Sequence, residues 1–525
     1  MKFTYLLLTG ALLLSVPCYS SEVNGSEVTF SNSCSVEVKD KINRGITLLH
    51  SFEYPETTKI FGEIISHEPR CAIAYWGAAM SIWHPLWAPP SKKDLIAGGK
   101  LLAKTEGLSA TKREKEYIAA LKLFFSSADV ATNRKRTADY SKAMNAIYEN
   151  FRDEDVDATV FYALSLLGSA DPRDKTYGNQ YKSGALLKFA QHSQPAHPGI
   201  LHYIIHSYDF PGLAHLAFED AKIYAKAAPD SSHAQHMPSH IFTRLGYWDR
   251  SLASNHDSTN SAAAYTKHAH LGGHYDEGLH SMDYLLYAML QTGRDNEALD
   301  LLNGLEKIGK TNTENFKVAF TYAASWARYT LERRAWEEAS SIELVRSNDF
   351  PWVDFPWAES IHYFARGIGA ARSLNISRAN KDLARIRQLY DSLPENAPLY
   401  WRVEVKVQAD VVESWIMLKS NDVEQALKLA SKAAEDEDAV DKHPVTPGEV
   451  IPARELYADM LLELMKYPEA LKQYQAVLKG SPNRLNALLG AAFSAEKAGD
   501  GKLAAEYKAI AKNQTKSGTR KILML

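Results

Sequence analysis

An interval of 34 residues constrains this chain more than any other feature. Gly178, Gly212 and Gly246 are spaced by it, and so are Pro195 and Pro229. Near the C-terminus, Tyr467-x-x-Ala470-x-x-x-Tyr474 runs on to Pro482, and Ala504 follows Ala470 at the same interval. Near the N-terminus, Tyr54-x-x-Thr57-x-x-x-Phe61 runs to Pro69 with the same internal offsets. A repeat of this length is one supersecondary unit that cannot bury its own apolar face, so neighbours must stack to hide it. Segments such as VFYALSLLG, AFTYAASWARYTLERRAWEEA and WIMLKSNDVEQALKLASKAA have helical period and few β-branched runs. The units therefore read as helix pairs, and the expected fold is all-α. A chain of 525 residues is long for one compact domain, and an extended array accounts for the length.

A small residue between two helices, an aromatic or alanine in the second helix and a closing proline resemble the tetratricopeptide (TPR) repeat. The resemblance implies a right-handed superhelical α-solenoid of antiparallel helix pairs, with the first helix of each pair lining a concave groove. The pattern recurs from about residue 38 to 515, enough for about eleven or twelve pairs. The chain divides into a signal peptide (1–20), N-terminal pairs (21–150), a histidine-rich core (151–312) and C-terminal pairs (313–525). Longer punctuated stretches at Trp83–Pro90, Gly168–Gly178, Ala264–Gly278, Asn348–Trp357 and Glu435–Pro452 read as loops. The tail after Lys512 reads as frayed. FSNSCSVEVKDKINRGITLLHSFEY, HPGILHYIIHSYD, HAQHMPSHIFTRLGYWD and KHPVTPGEVIPARELYADMLLEL resemble a group of bacterial exported TPR proteins. That likeness implies the fold and export, and assigns no activity.

MKFTYLLLTGALLLSVPCYS has a basic start, an apolar centre and small residues near Ser20, the form of a cleaved secretory signal. No other segment approaches a membrane span, so the mature chain is expected in the periplasm or outside the cell. Loss of Cys18 with the signal leaves Cys34 and Cys71. Each precedes a helix of neighbouring pairs, and an oxidising compartment lets them bridge; the alternative is two buried thiols. A net charge of −3 argues against nucleic acid as a partner.

Of 18 histidines, 13 fall between His192 and His280. Their phase matters more than their number: His202 and His236 are one repeat apart, as are His206 and His240. With the glycines as register marks, the groove stripe reads His202, His206, Asp209 and Phe210, then His233, His236, His240, Thr243 and Arg244. The third repeat adds His280, Asp283, Tyr287 and Gln291. Histidines four apart share a helical face, which suits two imidazoles on one metal ion. Two such pairs make a four-histidine pocket of His202, His206, His236 and His240, with Asp209 or Asp283 behind it. Triples His197/His202/His206 and His233/His236/His240 would permit two ions. Imidazole donors suit copper, zinc or iron. Pro238 interrupts the second pair and places His236 on the turn before a helix.

The same residues support two functions. The favoured one is recognition of a peptide or small ligand in a concave groove lined by His202, His206, Asp209, His233, His236, His240, Arg244, His280, Asp283 and Tyr287. The other is a transition-metal site or metalloenzyme built on the same cluster. His50 and His84 are also one repeat apart, with Trp83 and Trp87 around His84. EDEDAVDKHPVTPGE, carrying His443, reads as a solvated inter-helix loop. HExxH, a Walker lysine loop, a nucleophile elbow and a dinucleotide fingerprint are missing from the sequence.

Overall fold

The computed structural model describes residues 28–520 apart from Ala88, Asp230 and Asn396. The signal-like segment 1–20 lies outside the described residues. Helix follows helix throughout, and the strands among the described residues are two short ones, His274–Tyr275 and Thr311–Asn312, paired in parallel. No helix among the described residues is long and apolar enough to cross a membrane. The chain is an all-α solenoid in which successive helices pack against one another.

The turn inside a pair is built one way along the chain. Phe52, Gly246, Gly293, Arg334, Leu374, Asn421, Met465 and Gly499 all have positive φ, and each is followed two residues later by the first residue of a helix. A single left-handed residue just past a helix end satisfies its last carbonyls and reverses the chain. Stacking is fixed by an aromatic set against a glycine of the next pair. A Cβ on Gly77 would lie 2.4 Å from the Phe61 ring, and one on Gly490 would lie 2.3 Å from the Tyr474 ring. These are the aromatics of the two matching motifs, each followed at the same offset by its glycine. Both rings are almost fully buried, and burying a side chain of that size contributes about 2–3 kcal/mol.

The stack turns back on itself. Trp248 donates from Nε1 to the Asn483 carbonyl at 2.9 Å, and Arg484 donates to the Tyr287 hydroxyl while pairing with Glu332 and Glu455. The tail is docked rather than frayed as far as Arg520. The backbone amides of Thr519 and Arg520 donate to the Gly293 carbonyl, and Arg520 pairs with Asp295 at 2.7 Å. At the other end, Glu53 accepts from Ser231 and Tyr275, and Tyr265 donates to Glu56. The histidine-rich repeats are thus held between the first pair and the last. They also lie at a seam between two apolar cores, one ending at Phe242 apart from the inserted Val445, the other starting at Leu279. Cys34 and Cys71 stand at disulfide distance, 2.05 Å between sulfurs.

Candidate metal centre

Two helices supply the first cluster. His202 and His206 sit one turn apart on the Pro198–Tyr208 helix, and His233 lies in the short Ser232–His236 helix. A ring nitrogen of each lies within 4.8 Å of the other two. His202 Nδ1 is 2.6 Å from the His50 carbonyl, an acceptor only, so Nδ1 carries the proton and Nε2 a bare lone pair. His233 Nδ1 is 3.2 Å from Glu277 Oε2. Burial opposes ionisation of Glu277, but Lys317 and His233 outweigh it and hold the carboxyl well below the usual carboxylate range. His233 Nδ1 is therefore the donor as well. The Nε2 atoms of His202, His206 and His233 are all buried without a hydrogen-bond partner. An unpaired buried polar atom costs about 1–3 kcal/mol, so three together require an explanation.

The second cluster is His236, His240 and His280, again with ring nitrogens within 4.8 Å. Pro238 opens the Pro238–Arg244 helix, and His236 ends the short helix before it instead of lying on a turn, because Met237 between them keeps helical dihedrals (φ −54°, ψ −36°) against the usual bias before proline. The break does not part the rings: His236 Nε2 and His240 Nε2 are 3.0 Å apart. Each ring's other nitrogen faces an oxygen acceptor. Asn255 Nδ2 donates to the Ser251 carbonyl, which turns Asn255 Oδ1 toward His236 Nδ1 at 2.6 Å. His240 Nδ1 is 2.8 Å from Asp209 Oδ2. Burial works against the Asp209 charge, but Lys442, His240 and Arg244 more than offset it and hold Asp209 well below its ordinary value. Both protons are then on Nδ1, and two lone pairs face each other at hydrogen-bond distance. Such a contact needs a cation between its members. Burial, aided by neighbouring histidines, pushes His236 well below its ordinary value, and burial pushes His240 down to about 4. A proton is thus a poor candidate for that cation. Imidazole nitrogens about 2.0–2.1 Å from one metal ion and at about a right angle would stand roughly 3 Å apart.

A third cluster has similar composition and a different logic. His50 Nδ1 faces the Tyr203 hydroxyl at 3.1 Å, and His50 Nε2 lies 2.8 Å from Asp157 Oδ1. His197 Nδ1 accepts from the Ile200 amide, leaving a protonated Nε2 3.4 Å from the same carboxylate. One carboxylate serves both rings, with His197 Nε2 and Asp157 Oδ2 left without a hydrogen-bond partner, and the network orients His50, whose carbonyl holds His202.

The structure redistributes the sequence-derived residues. The expected four-histidine pocket is divided, His202 and His206 going to one cluster and His236 and His240 to the other. His233 and His280 complete the sets, and His197 joins His50. Asp209 stands behind His240, bridging it to Lys442 at 2.7 Å and Arg244 at 3.0 Å. Asp283 and Tyr287 face elsewhere, toward Arg328 and Arg484. Burial raises Asp283 to about 6. All ten expected groove residues except Arg244 are buried, so they form an enclosed seam rather than an open groove. The reason is the segment expected to be solvated. Between Asp438 and Ala453 the chain folds inward, Val445 and Thr446 being 2% and 0% exposed. There Thr446 offers its carbonyl to Tyr284, Lys442 reaches Asp209, and His443 stacks on Trp401. Trp83 and Trp87 are buried, and Trp87 packs edge-on to His233. His84 stacks on Tyr54 with ring centroids 4.0 Å apart.

Several site residues escaped the sequence reading. Tyr284, not Tyr287, lies over His236 and His240, with centroids 4.7 and 4.9 Å away. It stands four residues after His280, a helical-face signal equal to the one used for the histidines. Phe52 packs on His202, His206 and His233 from the first pair. Asn255, Glu277, Lys317 and Lys442 carry no spacing that marks them.

No family model and no curated protein matches the chain. Among solved structures, it is similar to the human IFIT1 dimer with m7Gppp-AAAA, at 12% identity and a TM-score of 0.36, covering 92% of this chain and 95% of that one. It is also similar to the P58(IPK) TPR domain, at 11% identity and a TM-score of 0.21, covering 89% of this chain and 99% of that domain. Scores this low leave the fold to rest on the chain's own helix pairing.

Proposed function

We propose that this protein binds a transition metal through its buried histidine clusters. The observation that carries the reading is the His236–His240 contact, 3.0 Å between two Nε2 atoms whose rings spend their protons on Asn255 and Asp209. The three unpartnered Nε2 atoms of His202, His206 and His233 support it independently. Nitrogen donors backed by a carbonyl, an amide and carboxylates are the arrangement that fixes tautomers for metal binding. All-imidazole donation suits copper, zinc or iron. Recognition of a peptide by the same residues would need them on an open surface, and they are covered.

The test is elemental analysis of protein prepared without a histidine tag. Stoichiometric copper, zinc or iron is expected, and it should be lost in a His202→Ala/His240→Ala variant that stays helical. Folded protein that arrives without metal, and takes up none when copper, zinc or iron is supplied, overturns the proposal.

A further inference from the structure

The two histidine clusters are neighbours. His206 and His240 have ring centroids 6.1 Å apart, and His233 and His236 are 6.2 Å apart, so rings of one set touch rings of the other. Each set offers three imidazole nitrogens and no anionic donor. We infer, resting on the metal-binding reading above, that they form one dinuclear copper centre that takes up dioxygen between the two ions.

Charge decides the metal. The carboxylates that touch the rings are Asp209, paired with Lys442 and Arg244, and Glu277, paired with Lys317, which also holds Asp276; Glu53 and Glu449 act from further off. In the set joined by direct ion pairs, three carboxylates meet three cations, so the groups in contact with the rings add no net negative charge. Two divalent ions on six imidazoles would leave four positive charges in a site whose histidines are all under a tenth exposed. Uncompensated charge at that depth is strongly unfavourable. Two copper(I) ions halve the charge, and three imidazoles are a sufficient donor set for each. Dioxygen preserves that total: each copper(I) gives up one electron, both electrons enter O2, and the resulting peroxide dianion bridges two copper(II) ions. No proton is consumed and no bond to the protein breaks. Zinc lacks the electrons for this step, and its fourth position would be left to water.

The surroundings suit a small ligand. Phe52 caps the first set and Tyr284 the second, and the 439–452 segment closes over both through Lys442 and Thr446. Dioxygen needs no charged entrance and little room.

The experiment is anaerobic titration of the metal-free full chain with copper(I) held by a competing chelator, then exposure to air. Two copper ions per chain are expected. After oxygenation a new charge-transfer absorption should appear, with a copper(II) paramagnetic signal far below two spins per chain, because bridged ions couple. A His280→Gln variant, altered in one set only, should keep one copper and, once oxidised, show it at full intensity. One copper per wild-type chain, or two that give two full spins after oxidation, overturns the dinuclear inference while metal binding stands. No copper bound by wild-type protein that does bind zinc or iron overturns the copper assignment alone. No metal of any kind overturns both readings.

Discussion

Replacing Asp209 by asparagine tests the core of the reasoning. The carboxylate touches three partners: His240 Nδ1 at 2.8 Å, Lys442 Nζ at 2.7 Å and Arg244 Nε at 3.0 Å. Asparagine keeps the shape and removes the charge. Two effects follow, of different size. Loss of the anion that fixes the His240 tautomer should weaken metal binding about 10–100-fold, or about 1.4–2.8 kcal/mol. Lys442 loses its direct counter-ion. Burial already lowers its pKa to about 8 with Asp209 in place. An uncompensated buried cation costs about 3–5 kcal/mol, and the chain relieves this by releasing Lys442 and the 439–452 segment to water. Competition against a chromophoric chelator reads the first effect, and amide hydrogen exchange across 439–452 reads the second. A second change, Lys442→Met in the Asp209→Asn background, should restore the protection but not the affinity. If Asp209→Asn leaves metal affinity within about twofold and exchange unaltered, Asp209 neither orients His240 nor anchors the segment, and the reasoning fails.

Other outcomes follow from the same structure. Reducing the Cys34–Cys71 bridge opens a closed loop of 37 residues in sequence separation, which loop-closure entropy values at about 4 kcal/mol. Thiol treatment should lower the unfolding midpoint, and a Cys34→Ser/Cys71→Ser variant should show no further drop. Gly246→Ala places a methyl 2.3 Å from the Pro482 carbonyl oxygen at a φ of +68°. It should separate the last repeats from the middle ones, measured as faster exchange at the Trp248–Asn483 contact, and an unchanged rate would count against the closure described. Burial holds His443 down to about 4, and burial with Arg366 and Arg378 holds His362 down to about 3. The unfolded chain binds these protons near pH 6.5, so their contribution is complete above that value. It is lost as pH falls from about 6.5 toward 4, at about 1.4 kcal/mol per unit per group. His443→Gln should flatten its share of that slope in urea melts run between pH 7 and 4.

The periodic part of the fold was legible because each repeat states its own geometry. Phe61 and Tyr474 stand at matching offsets because each must meet a glycine of the next pair. The histidine phase was legible for the same reason, and it brought into view the six rings that the fold gathers. Their division was not. Which imidazole joins which set depends on how the helix restarts at Pro238 and on His280 arriving from the Asp276–Gln291 helix, neither of which a 34-residue count specifies. Lys442 and Thr446 were misread because a run rich in Asp, Glu and Pro looks solvated. It is held inward by contacts distant in sequence, among them an ion pair to a residue 233 positions earlier and a hydrogen bond to Tyr284, and no local pattern encodes such partners.

The cover over the cluster comes from late in the chain, while the rings beneath it come from the middle. The connection between the Val423–Asp438 and Ala453–Glu463 helices lies over them, tied down where Lys442 meets Asp209. Traffic to the buried rings is therefore governed by one late loop, and how often Lys442 lets go of Asp209 sets how fast anything small can enter or leave.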